Sequence, residues 1–157
     1  VELTQSVSFD DIGISFSLPA TWAYDEDKLM ITTSEASLDL FNTGDVVPEG
    51  EIVLQFASPD QVANSGIEDM TVTGVSLYWH DLLQNEQTLY SYVDLAYEAM
   101  YMPLVSDSAP ENAFVIVMSV GDAGDILVVS GIAPDFETSE AVIIAILNSV
   151  VYEPVEQ

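Results

Sequence analysis

The only histidine of the chain, His80, is followed directly by Asp81. Such a pair could orient a serine, for example Ser76 or Ser91, for nucleophilic attack. The sequence contains neither a Gly-x-Ser-x-Gly motif nor a Ser-x-x-Lys motif, so no serine is marked as a nucleophile by its neighbours. We therefore interpret His80 as a surface or structural residue and predict that the chain is not an enzyme.

Carboxylates offer a second chemistry, the binding of calcium. Asp122 and Asp125 lie in one Gly-Asp-Ala-Gly-Asp turn, whose two glycines would allow carbonyl oxygens to turn inward. Calcium takes six to eight oxygen ligands, and the sequence has no D-x-[DN]-x-[DN]-G loop to supply them. Two interpretations stay open: a calcium site that uses Asp122 and Asp125, or a solvated turn. A carboxylate pair for glycoside hydrolysis is disfavoured, because the acids are scattered over predicted turns.

The charge of the chain excludes whole classes of function. The sequence has 27 Asp and Glu residues against one basic residue, Lys28, and its formal net charge is −26 at pH 7. Nucleic-acid binding needs Lys and Arg to neutralise phosphates, and docking to anionic lipid needs a basic cluster. We expect no nucleic-acid partner. A field of this sign steers the chain towards cationic partners and repels anionic ones.

Composition indicates a folded domain rather than an acidic tail. Hydrophobic residues make up 49% of the chain, with 6 Phe, 7 Tyr and 2 Trp, which a disordered acidic segment would lack. The length of 157 residues fits a single domain over residues 1–157. There is no cysteine, and no apolar stretch is long enough to span a membrane. The start at Val1 and the single lysine favour an extracytoplasmic protein whose signal peptide has been removed.

Apolar alternation predicts most of the strands. Residues 7–9 and 12–18 form a predicted hairpin that Pro19 ends, and Trp22 is expected to enter the core. Further strands are predicted over residues 29–33, 37–41, 51–57, 70–78, 114–120, 126–132 and 149–152.

Three helices are predicted between these strands. Ser58, Pro59 and Gln61 mark the start of a short helix that ends at Gly66. An apolar stripe at helical spacing predicts a second helix over residues 88–101, and a third covers residues 138–147. Tyr90 and Tyr101 fall off the stripe of the second helix, so they are candidate interface residues, with ordinary burial as the alternative.

Three segments resemble one known superfamily. ISFSLPATW at residues 14–22 is similar to the start of PsbP/Mog1/DcrB-like domains, LYSYVDLAYEAM at residues 89–100 to their central helix, and Leu147-Asn-Ser-Val to their closing helix-to-strand turn. The resemblance implies an α/β/α sandwich of the type common in secreted bacterial lipoproteins, whose members are mostly binding or assembly modules without established catalysis. Those domains carry a normal share of Lys and Arg, so their electrostatic contacts do not transfer to this chain.

The sequence therefore predicts an α+β domain in which an antiparallel sheet is flanked by about three helices. The leading functional hypothesis is a non-enzymatic extracytoplasmic interaction or assembly module with a protein partner, without a cofactor. The alternative is a calcium- or small-ligand-binding protein that uses the hairpin carboxylates. A third interpretation treats the acidity as adaptation to a saline or acidic environment.

Overall fold

Two antiparallel sheets organise the fold. The computed structural model describes residues 3–36, 38–39, 51–82, 90–91, 97–103, 113–120, 125–133 and 136–153. A small sheet has the strand order β1–β2–β10, and a large sheet has the order β3–β4–β5–β9–β8–β7–β6. The strands are β1 (Gln5–Phe9), β2 (Ile14–Leu18), β3 (Ala23–Asp25), β4 (Met30–Thr32), β5 (Val53–Ala57), β6 (Tyr90–Ser91), β7 (Ala99–Pro103), β8 (Ala113–Ser119), β9 (Ile126–Ile132) and β10 (Val151–Tyr152). The helices are α1 (Pro59–Ala63), α2 (Val72–Leu82) and α3 (Phe136–Asn148). The predicted α+β class is confirmed.

The large sheet has an apolar surface on both faces. In β8, Phe114 and Ile116 belong to a main core that also contains residues of β1, β2 and α3. The alternate residues Val115 and Val117 belong to a second cluster, the helix-side core, with residues of α1 and α2. Because successive side chains of a strand point to opposite faces, the large sheet lies between α1 and α2 on one face and the small sheet with α3 on the other.

The N-terminal hairpin confirms the period-2 interpretation of this segment. β1 pairs with β2 from Gln5 opposite Leu18 to Phe9 opposite Ile14. Gly13 has a φ of 70°, in the left-handed region that glycine adopts at little cost, and this conformation lets the chain turn between the strands. Trp22 is buried in the main core, as predicted.

Some helix boundaries agree with the prediction from the sequence and others do not. α1 has the predicted capping box, in which the Gln61 backbone N–H donates to Ser58 Oγ and the Ser58 N–H donates to Gln61 Oε1. It ends at Ala63, with Asn64 as its C-cap, rather than at Gly66. Residues 141–147 are helical within α3, as predicted, but the predicted N-cap Thr138 is wrong, because the helix already begins at Phe136.

The predicted strand over residues 70–78 is wrong, because this segment begins helix α2. The Thr71 hydroxyl accepts a hydrogen bond from the Gly74 N–H at 3.0 Å, which is the geometry of a helix N-cap. Val72 and Val75 are buried three residues apart, which is helical spacing. The β-branched and aromatic side chains of this segment concealed the capping signal.

The predicted helix over residues 88–101 is also wrong, because its described parts are the strands β6 and β7. In β7, Ala99 faces the main core and Met102 faces the helix-side core, so a strand covered on both faces carries apolar residues at nearly every position. Such a run contains the i, i+3, i+4 spacing of a helix by coincidence.

Two smaller differences lie near β4. Residues 38–39 are helical instead of forming the predicted strand, and the Leu38 N–H donates to the Ser34 carbonyl four residues earlier at 3.2 Å. β3 was not predicted, since its three residues carry no alternation that can be recognised in so short a segment.

Candidate functional site

A cleft of about 400 Å³ opens on the helical face of the large sheet. We call it the sheet cleft. Its floor is lined by residues of the neighbouring strands β5, β9 and β8: Gln55, Phe56, Ala57, Val115, Val128 and Ser130. Gln61 of α1 and Trp79 of α2 line its sides. The volume falls in the range of small-molecule sites, about 300–1,000 Å³.

The register of the sheet places the polar residues of this floor side by side. Gln55 lies opposite Ser130 across β5 and β9, and Ser130 lies opposite Val115 across β9 and β8. Small side chains at Ala57 and Ser130 fill little of the space between α1 and α2. Because α1 has only five residues, it covers only part of the sheet, and the cleft remains open beside it.

Hydrogen bonds hold both cleft glutamines in place. Gln55 Nε2 donates to the Lys28 carbonyl at 3.1 Å, and Gln61 Oε1 accepts from the Ser58 N–H at 2.9 Å. Within the described part of the chain, Gln55 Oε1 and Gln61 Nε2 have no protein partner. The lining residues therefore include one acceptor and one donor on side chains held by hydrogen bonds to the backbone, together with Trp79.

The sequence did not identify the sheet cleft, because its lining comes from three strands and two helices that only the fold brings together. A signal was nevertheless present. Gln55 and Ser130 each interrupt an otherwise apolar strand, EIVLQFA and ILVVSGI, at a position facing the helical layer. A polar residue inside a central strand indicates a place where the sheet is not covered.

A second feature is an exposed apolar patch on α2. Leu77 is 49% exposed and Tyr78 is 39% exposed, and we call this pair the α2 patch. The Tyr78 ring meets the Trp79 ring edge to face, with centroids 6.1 Å apart and an interplanar angle of 88°. The patch therefore lies on the outer side of the helix whose Trp79 borders the sheet cleft.

Ser76 and His80 lie four residues apart in α2, and no hydrogen bond joins them. His80 Nδ1 lies 3.6 Å from Asp81 Oδ1 at the surface, whereas the Ser76 hydroxyl is buried and has no hydrogen-bond partner among the described residues. A buried serine hydroxyl that no base hydrogen-bonds lacks the arrangement that activates a nucleophile. The side chain of Ser91 lies outside the described residues.

Of the two candidate calcium ligands, Asp125 is described and Asp122 is not. Asp125 is half-buried at the residue before β9, and its carbonyl accepts from the Val120 N–H at 2.9 Å. Among the described residues there is no group of three or more His, Asp or Glu side chains arranged to hold a metal ion. A calcium site at Asp122 and Asp125 remains a prediction.

Asp125 does affect a neighbouring titratable group. Burial raises the pKa of Tyr152 above its ordinary value of 10.0, and the negative charges of Asp125 and Asp60 raise it further. Tyr152 therefore remains neutral over a wider pH range than an exposed tyrosine does.

The structure brings the two candidate interface tyrosines together. Tyr90 in β6 lies opposite Tyr101 in β7, at the edge of the large sheet. Tyr101 is half-buried against the main core, with its ring centroid 5.8 Å from that of Phe114. The side chain of Tyr90 lies outside the described residues, so a role of this pair in an interface remains a prediction.

Comparison with other proteins adds no assignment. In the described ranges, no helix has the length and apolar character needed to cross a bilayer. No model of a known protein family matches the chain, and no curated protein matches it significantly.

Proposed function

We propose that this chain is a non-enzymatic extracytoplasmic interaction module that binds a cationic protein surface through the α2 patch. The observation that carries the proposal is the exposure of Leu77 and Tyr78 on a chain with 27 acidic residues and one basic residue. Exposed apolar side chains on a chain that carries almost only negative charge suit a partner that has apolar anchors together with Lys and Arg. The charge accelerates encounter, and the patch supplies contacts that salt does not screen.

The fold that we propose for this module is the PsbP/Mog1/DcrB-like α/β/α sandwich. Helices on both faces of the large sheet support it, as does the segment ISFSLPATW, which forms β2 and the corner that buries Trp22. The segment proposed to match the central family helix departs from that pattern, since β6 and the start of β7 lie within it. The proposal therefore rests on the layers and on the two ends of the chain.

The extracytoplasmic setting is part of the same proposal. A chain with a single lysine offers trypsin-like proteases one cleavage site, Lys28, and a chain without cysteine has no thiol to oxidise outside the cell. Both properties favour survival in an oxidising and protease-rich environment.

Two synthetic peptides of equal charge test the partner chemistry. One is an amphipathic helix of Leu and Lys, and the other replaces each Leu by Ser. We expect both to bind at 10 mM NaCl, because the charge of the chain attracts any polycation. At 150 mM NaCl only the Leu/Lys peptide should remain bound, since the apolar contact is not screened.

A pair of variants locates the binding surface. Replacing both Leu77 and Tyr78 by Ser removes apolar contacts that contribute about 1–2 kcal/mol each, so the affinity at 150 mM NaCl should fall by tenfold or more. Val151 is also 49% exposed but lies in the small sheet, so Val151→Ser is the matched control and should leave the affinity unchanged. Fluorescence anisotropy of labelled peptide measures both effects. Equal losses in the two variants, or no loss in the double variant, would refute the assignment of the surface.

A further inference from the structure

We propose that the sheet cleft binds a small uncharged planar molecule that carries an amide-type edge. This inference is independent of the proposed partner surface, because neither Leu77 nor Tyr78 lines the cleft. The proposal assigns a ligand class to a site that the α2 patch does not use.

The charge of the lining carries the first step. None of the described residues that line the cleft is acidic or basic, although the chain has 27 acidic residues. An anionic ligand would meet the repulsive field of the whole chain without any local cation to offset it. A cationic ligand is attracted by the negative charge of the chain as a whole. Within the cleft, however, it would be desolvated against a lining that offers no counter-charge. A neutral ligand loses neither interaction.

The shape and polarity of the lining carry the second step. Val115 and Val128 line an apolar floor, and Trp79 lines a side of the cleft, so an aromatic ring is available to a planar ligand. Gln55 Oε1 can accept a hydrogen bond and Gln61 Nε2 can donate one, and their side chains are already fixed by hydrogen bonds to backbone groups. A primary amide has the complementary donor and acceptor on one edge.

Preorganisation is the third step. Ligand binding need not order either glutamine side chain, because Gln55 is already hydrogen-bonded to the Lys28 carbonyl and Gln61 belongs to the capping box of α1. Fixed polar groups in an apolar site reduce the entropic cost of binding and reject ligands that leave them unpaired.

Benzamide, benzoate and benzamidine form a nearly isosteric neutral, anionic and cationic series that tests the ligand class. The chain has two tryptophans, so ¹⁵N-tryptophan labelling yields two indole signals. Trp79 lines the cleft, whereas Trp22 is buried in the main core on the other side of the large sheet. Addition of benzamide at 150 mM NaCl should shift the Trp79 signal saturably in the millimolar range expected for so small a ligand, and the Trp22 signal should stay in place.

Selectivity within this series decides the proposal. Benzoate and benzamidine should each bind at least about tenfold more weakly than benzamide, since each leaves a charge or a cleft amide unpaired. Benzoate or benzamidine binding as tightly as benzamide would overturn the assignment of an uncharged ligand. A Trp79 signal that does not respond to benzamide would overturn the site itself.

Gln61→Glu is a conservative variant that should reverse the preference. Glutamate also serves at the third position of a capping box, so α1 keeps its start. The variant replaces the cleft donor with a carboxylate, so benzamide should bind about tenfold more weakly and benzamidine should become the preferred ligand. Ser6→Glu adds the same charge at an exposed position of β1 and should leave the Trp79 response unchanged. Unchanged selectivity in Gln61→Glu, or an equal change in Ser6→Glu, would contradict the proposal.

Discussion

Salt should stabilise this chain strongly, and the effect can be worked out from its surface. The accessible surface of 8521 Å² divided among 27 acidic residues leaves about 320 Å² for each, which is a mean spacing of about 18 Å. The Debye length is roughly 30 Å at 10 mM salt and about 8 Å at 150 mM. Neighbouring carboxylates therefore repel one another in dilute buffer and are largely screened at physiological salt.

The size of the effect follows from Coulomb's law. Two charges about 18 Å apart in water repel by about 0.23 kcal/mol without screening, which falls to about 0.13 kcal/mol at 10 mM salt and to about 0.02 kcal/mol at 150 mM. With about six neighbours for each acid, there are roughly 80 pairs. Raising the salt from 10 mM to 150 mM therefore lowers the repulsive free energy of the native state by about 8 kcal/mol. The unfolded chain keeps its sequence-local repulsion, so we expect a net gain in unfolding free energy of about 2–4 kcal/mol.

Thermal unfolding followed by circular dichroism measures this gain. For a chain of this length, it corresponds to a rise in Tm of about 5–15 °C between 10 mM and 150 mM NaCl. KCl at the same concentration should give the same Tm, because screening depends on ionic strength and not on the identity of the cation. A third sample with 2 mM CaCl₂ at matched ionic strength tests the calcium hypothesis, since a site with a Kd of about 20 μM would add about 2.7 kcal/mol.

The outcomes separate the two hypotheses for the acidic residues. A Tm that is the same at 10 mM and 150 mM NaCl would refute the picture of evenly spread, mutually repelling carboxylates. An additional rise with calcium that Asp122→Asn abolishes would establish a specific site in the β8–β9 turn. A calcium effect that persists in this variant would reflect ion association elsewhere on the surface.

Three further predictions concern single side chains. A Cβ at Gly131 would lie 2.5 Å from Phe114 Cζ, so Gly131→Ala should lower the free energy of unfolding, measured by urea denaturation, by about 1–3 kcal/mol. The loss should be the same at 10 mM and 150 mM NaCl. An unchanged urea midpoint would contradict this close packing. The folded state raises the pKa of Tyr152, so the contribution of this side chain to stability is complete below pH 10 and is lost as pH rises above that value. Tyr152→Phe should therefore unfold less readily between pH 10 and pH 11 than the wild type. Equal pH profiles of the two proteins would count against the burial of the phenol. Ser76→Ala removes a buried hydroxyl that has no hydrogen-bond partner among the described residues, so it should leave stability unchanged or raise it by up to about 1 kcal/mol, and a loss of stability would indicate a partner.

Local signals predicted the β1–β2 hairpin and the start of α1. The β1–β2 hairpin has one face on the main core and alternates in burial, so its period of two is visible in the sequence. The capping box at Ser58 is equally local, since its two hydrogen bonds join residues three positions apart. These features need no knowledge of the rest of the fold.

The strand β7 could not be predicted in this way, because its form depends on other elements that pack against it and pair with it. β7 is apolar on both faces only because α2 covers one face and the main core covers the other. Its extended form depends on pairing with β8, which begins ten residues after β7 ends. Tertiary pairing of this kind overrides local helical spacing.

The error over residues 70–78 also determined which functional surface could be predicted. In a strand, Leu77 and Trp79 would share one face and Tyr78 would point to the other, so no exposed patch and no cleft wall would follow. In α2, successive residues are about 100° apart, which allows Leu77 and Tyr78 to protrude together while Trp79 turns towards the sheet. One helix thus carries both the α2 patch and a wall of the sheet cleft. The Tyr78 ring meets the Trp79 ring edge to face, so if the α2 patch binds the proposed partner and the cleft binds the proposed ligand, any coupling between the two sites must act in both directions.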